Sequence, residues 1–161
     1  MLFTAIASIF ALGPSFTCTP VRVYDGSGPI WCAEGPKVRL WGIAVRELDN
    51  SCRPTRACPK VTGVQSRDYL VQLLGGAKGV TSSGHTIVAG PVLSCEWLNT
   101  NPQNGKTNAW CRAPRIGDLS CAMVRGDHAA LFYRHGGDKV CRLRDPDENF
   151  QNGSRRERRG R

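Results

Sequence analysis

The sequence predicts an α+β domain that is mainly β, on three observations. Five short segments rich in β-branched and aromatic residues are separated by clusters of Gly, Asn, Asp and Pro. One segment, "TGVQSRDYLVQLLGG", spaces its apolar residues at a helical rather than a strand period. Eight cysteines, with no C-x-x-C pair and only three histidines in the chain, favour a disulfide-stapled fold over a zinc site. At 161 residues the chain is long enough for one domain with a real core and short for two.

Each element has a local reason. "MLFTAIASIFALG" carries no charged side chain, is mostly apolar and is followed by Pro14, which suits the hydrophobic region of a signal peptide and is short for a bilayer span. Residues 1–17 are therefore expected to be a signal-like segment of a secreted or periplasmic protein whose mature form has no stable membrane span. An undetected upstream start, or a buried N-terminal segment, is the alternative. "VRVYDGSGPIWC" alternates β-formers, breaks at Asp25-Gly26-Ser27-Gly28 and resumes, as a hairpin does; "KVRLWGIAV" makes a third strand. After the loop bracketed by Pro54 and Pro59, Val64, Tyr69, Leu70, Leu73 and Leu74 mark a helix that Gly75 and Gly76 stop. "HTIVAGPVLSCEWL" and "TNAWCRA" are two further strands around the polar turn "NTNPQNGK". "GDLSCAMVRG" is a short helix with Asp118 at its N-cap and Gly126 at its end, and "HAALFY" a final extended piece. Five strands, a helix between the third and fourth and a second short helix after the fifth describe a small barrel of OB type. The domain is expected over residues 18–145.

The cysteines admit a reading but no proof. Cys95 and Cys111 lie symmetrically about the polar turn, each near a tryptophan (Trp97, Trp110), as cross-strand partners would. Cys52–Cys58 closes the small loop "CRPTRAC", Cys121–Cys141 ties down the C-terminal part, and Cys18–Cys32 is left by elimination.

The net charge is +9, of which the terminal "RRERRGR" supplies +4, leaving +5 for the rest of the chain. Residues 146–161, without an apolar residue after Phe150, are expected to be a disordered basic tail, either a solvated appendage or a non-specific attractor of phosphates. His85, His128, His135 and Asp127 are spare titratable groups with no metal-ligand spacing, and "LLGGAKG" follows a helix, which makes it a helix stop rather than a phosphate loop. Trp31, Trp41, Trp97 and Trp110 are expected in the core or against disulfides, although outward-facing ones would stack on bases.

The order of "VRVYDGSG", "VRLWGIAVREL", "SRDYLVQLL", "GKTNAWC" and "GDLSCAMVRGDHA", over about residues 20 to 135, resembles the staphylococcal nuclease-like (thermonuclease) family. That family has an OB-fold core with appended helices and hydrolyses DNA and RNA with calcium. The resemblance implies that Glu47 stands at the general-base position, and that Arg39 and Lys106 stand at the two positions that clamp phosphate. Without it, Arg39 and Glu47 are two ordinary surface charges. It also implies losses. The family's metal-binding aspartates fall on Ser27 and Ala44, leaving Asp25 as the surviving carboxylate of the first turn, so calcium is implied by the family while most of its ligands are absent. Lys106 keeps a charge but not the paired planar donors of an arginine. Two functions follow as expectations. One is a feeble nuclease built on Glu47, Arg39 and Lys106. The other is a non-catalytic exported OB-type module, expected to be a monomer, whose partner is nucleic acid or another polyanion.

Overall fold

The computed structural model describes residues 14–141; residues 1–13 and 142–161, which hold most of the signal-like segment and the whole basic tail, lie outside the described residues. The fold is mainly β with two short helices. Its strands are β1 (Ser15–Cys18), β2 (Pro20–Val23), β3 (Ile30–Cys32), β4 (Lys37–Leu40) and β5 (Ile43–Ala44), then, after helix α1 (Gly63–Leu73), β6 (Ala77–Val80), β7 (Thr86–Val88), β8 (Leu93–Thr100), β9 (Thr107–Ala113) and β10 (Gly117–Asp118). Helix α2 (Leu119–Arg125) and β11 (Ala130–Leu131) follow. The main sheet runs β1-β8-β9-β4-β3-β2-β7-β6, with β10 on β9, and β11 pairs with β5 separately.

This is more than the five strands expected, and each extra break has a cause. "KVRLWGIAV" stops after Leu40 because Gly42 takes a left-handed φ of 80°, and resumes as β5. "HTIVAGPVLSCEWL" divides into β7 and β8 at Gly90-Pro91, where proline has no N–H to give a ladder. "AKGV", assigned to the helix stop, forms the exposed edge strand β6. Residues 15–17, assigned to the signal-like segment, belong to β1 and pair with Ser94–Glu96 of β8.

Only Thr19 separates β1 from β2, yet β1 bonds to β8 while β2 bonds to β3 and β7. The path β2-β3-β4-β9-β8-β1 therefore returns to the chain beside its start, and the sheet curls. Inside the curl sit Val23, Ile30, Val38, Leu40, Ile43, Leu70, Leu93, Leu119 and Met123, each at most 2% exposed. Each such side chain contributes roughly 1.5–3 kcal/mol on burial. Cys18–Cys32, Cys52–Cys58, Cys95–Cys111 and Cys121–Cys141 are disulfides, the same four pairs that the spacing suggests. Cys95 and Cys111 stand directly opposite in the β8–β9 hairpin.

Helix α1 is bounded by side chains. Thr62 Oγ1 accepts from the Gln65 N–H at 3.1 Å and Gln65 Oε1 from the Thr62 N–H at 2.9 Å, a capping box. At the other end the Gly76 and Gly75 N–H groups reach the Val71 and Gln72 carbonyls, with both glycines at positive φ. The buried face is Gly63, Ser66, Leu70 and Val71, whereas Val64, expected to be part of it, is 40% exposed. Asp118 caps α2 by accepting from the Cys121 N–H at 2.9 Å. Among the described residues no helix is long and apolar enough to cross a membrane.

Candidate functional site

Three segments carry charged side chains that act on one another. The first is the turn after β2. Asp25 Oδ1 accepts from the Ser27 N–H at 2.7 Å and from the Ser27 hydroxyl at 3.0 Å, a turn closed by its own aspartate. The Ser27 carbonyl in turn accepts from the Leu40 N–H at 2.9 Å, binding the turn to the end of β4. Gly28, at φ 103°, makes that approach possible: a Cβ there would stand 2.5 Å from the Val38 carbonyl oxygen. Arg39 is the residue of β4 beside this turn.

The second is the start of β9. Parallel pairing aligns Arg39 with Asn108, so Lys106 enters just ahead of the paired stretch. Its position is fixed by the asparagines of the hairpin turn: the Asn101 N–H bonds to the Lys106 carbonyl at 2.9 Å, and the Lys106 N–H to Asn104 Oδ1 at 3.0 Å.

The third is the loop after β5. The Glu47 N–H bonds to the Ser51 carbonyl, and Arg46 anchors the loop through Nε to the Pro59 carbonyl at 2.7 Å and Nη1 to the Asn50 carbonyl at 2.9 Å. Asn50, at positive φ, accepts the Gly63 N–H on its side chain, so the start of α1 holds the loop. Gly63 itself packs so closely that a Cβ would overlap the Glu47 carbonyl oxygen.

Arg39, Glu47 and Lys106 consequently share one electrostatic neighbourhood with Asp25, and two residues that sequence reasoning passed over join them. Arg53 donates from Nε to Glu47 Oε1 at 2.5 Å. Arg56 places its guanidinium 4.8 Å over the Phe132 ring. Both lie in "CRPTRAC", read from the sequence only as a disulfide loop; the available signal was two arginines held close to Glu47 by that short ring.

The charges act on one another as a group. Burial pushes the Asp25 carboxyl up, against the pull of the Ser27 hydrogen bonds and Arg39, and Glu47 adds to the rise. Burial lowers Arg39, and Arg53 adds to this while Asp25 and Glu47 oppose it. Lys106 is lowered by burial, then by Arg39 and Arg53, and Arg56 by burial, then by the same two arginines. His135, stacked on Trp41 at 3.8 Å and edge-on to Phe132, is depressed to about 4 by burial and by Arg56 and Arg39. Four cations thus face two carboxylates.

The donors do not fit the calcium that the resemblance implies. Ser27 spends its hydroxyl on Asp25, Ala44 is fully buried with no side-chain oxygen, and Glu47 already faces Arg53. Among the described residues no three His, Cys, Asp or Glu side chains are grouped to hold a metal ion.

Of the spare groups, His135 stands beside this cluster, whereas His128 and His85 are engaged by other rings. His128 stacks on Tyr69 at 4.0 Å, and His85 on Trp31 at 4.5 Å, with Arg22 also over Trp31. Trp110 is buried, Trp31 and Trp41 are half-buried against histidines, and Trp97 is exposed, its indole N–H donating to Thr100. No protein-family model matches this chain, and no curated protein does.

Proposed function

We propose that this protein is an exported, divergent relative of the thermonuclease-like family that binds the phosphodiester backbone of nucleic acid at the mouth containing Arg39, Lys106 and Glu47. Phosphodiester hydrolysis by the calcium route is weak or lost. The observation that carries this reading is the excess of cations: Arg39, Arg53, Arg56 and Lys106 against Asp25 and Glu47, a balance that attracts anions. Support for an OB-type core comes from the returning path, in which β1 and β2 form one strand bent at Thr19, with β3, β4, β8 and β9 as the other four. Four disulfides agree with an oxidising compartment outside the cytoplasm.

The test is anisotropy of labelled single-stranded DNA with the oxidised full chain across a salt series. Binding that weakens steeply with salt, and that Arg39→Ala diminishes, is expected. Salt-independent binding, or none, rejects the reading. A second reading, slow hydrolysis with Glu47 as the base, draws on the position of that carboxylate beside Arg53 and among the cations that attract a phosphodiester. Plasmid digestion that Glu47→Gln abolishes would support it, and equal activity in both proteins would reject it.

A further inference from the structure

We propose that the Cys52–Cys58 loop is a phosphate-binding arm that makes backbone binding independent of divalent cations, with Arg53 supplying positive charge beside Glu47 and Arg56 extending the clamp along Phe132. This rests on the reading of the mouth as a phosphodiester site.

A phosphodiester brought next to Glu47 and Asp25 meets two carboxylates, and a cation must separate like charges there. Ser27 and Ala44 cannot hold a metal for that purpose, whereas Arg53 is already seated on Glu47 Oε1. A guanidinium has donors left after one carboxylate contact, and Arg53 uses Nε for Glu47. Its terminal nitrogens can donate to phosphate oxygens in the paired, planar manner that Lys106 lacks.

The loop is built for presentation. The disulfide closes it across six positions, Arg46 pins the neighbouring carbonyls of Asn50 and Pro59, and Arg53 and Arg56 stand three residues apart inside the ring. The Arg53 side chain is 47% exposed, which leaves it open to a ligand arriving from solvent. Arg56 is half-buried over Phe132, an orientation that limits the freedom lost when it grips an anion.

The test measures labelled single-stranded DNA binding by the oxidised full chain, in excess chelator and in calcium, for wild type, Arg53→Ala, Arg53→Lys, Arg56→Ala, Arg39→Ala and Lys78→Ala, the last on the edge strand β6. Thermal melting confirms that each variant is folded. Wild-type affinity in chelator is expected within about twofold of that in calcium. Arg53→Ala and Arg56→Ala should each weaken binding about 5- to 10-fold at low salt and reduce the salt slope by about 0.7. Arg53→Lys should recover the slope more than the affinity. Binding that needs calcium overturns the proposal. So does binding unchanged in the Arg53 and Arg56 variants while Arg39→Ala abolishes it, or an equal loss in Lys78→Ala. If neither Arg39→Ala nor the loop variants alter binding, the mouth itself is not the site and the parent reading falls.

Discussion

Arg53 Nε lies 2.5 Å from Glu47 Oε1, so the carboxylate that the thermonuclease resemblance assigns to proton abstraction is already met by a cation of its own chain. Both side chains are partly exposed, Arg53 the more so. The pair is consequently a small contributor to stability and a large one to the local field.

Glu47→Gln should therefore change unfolding free energy by less than about 1 kcal/mol. It should strengthen DNA binding at low salt about threefold or more, because one negative charge leaves a cationic mouth. Urea denaturation and anisotropy read the two quantities separately. A weaker complex would mean that Glu47 organises the arginines more than it opposes the ligand.

Gly63→Ala should be among the most damaging single-methyl changes in the domain. Its Cβ would stand 1.9 Å from the Glu47 carbonyl oxygen, so either α1 or the Glu47 loop must move. A loss of about 2–4 kcal/mol is expected by denaturation, together with weakened binding. Val64→Ala, one residue on and exposed, should cost far less.

Removing disulfides separates fold from function. Replacing Cys52 and Cys58 by serine opens a short ring and should lower stability by about 2 kcal/mol, while replacing Cys95 and Cys111, separated by 16 positions, should lower it by about 3 kcal/mol. Binding should follow the opposite order, falling more for the short ring. Melting curves and anisotropy on the two double variants check both orders.

The pH dependence has a definite sign at His135. Its folded pKa of about 4 lies below the ordinary value of 6.5, so between the two the unfolded chain binds the proton more readily. Stability contributed by the neutral ring is thus complete above about pH 6.5 and is lost as pH falls toward 4. His135→Phe, which preserves an aromatic ring against Trp41, should flatten the melting temperature across that window.

How much of this was legible in the sequence varied with the range of the forces involved. Helix boundaries were readable because their signals are local: Gly75 and Gly76 end α1, and Asp118 and Gly126 bound α2. The β8–β9 hairpin was readable from its polar turn. Strand number was not, since breaks at Gly42 and at Gly90-Pro91 depend on what the backbone packs against. Val64 was misplaced because α1 packs through its smallest residues, Gly63 against the Glu47 loop and Ser66 against the Gly26 turn, which carry almost no hydrophobic signal. Arg39, Glu47 and Lys106 entered through resemblance. Arg53 and Arg56 did not, because no periodicity tells which way a covalently closed loop faces.

The joint at Thr19 bears on where this chain can accept foreign sequence. Its N–H and hydroxyl both bond to the Glu34 carboxylate, at 2.8 and 2.6 Å, and its carbonyl takes the Ala33 N–H. A residue added there would offset β1 on β8 relative to β2 on β3, turning apolar side chains outward on one side of the joint. The turn at Thr81–Gly84 joins the edge strand β6 to its neighbour β7, which makes it the suitable graft point for an epitope or a fluorophore-bearing peptide.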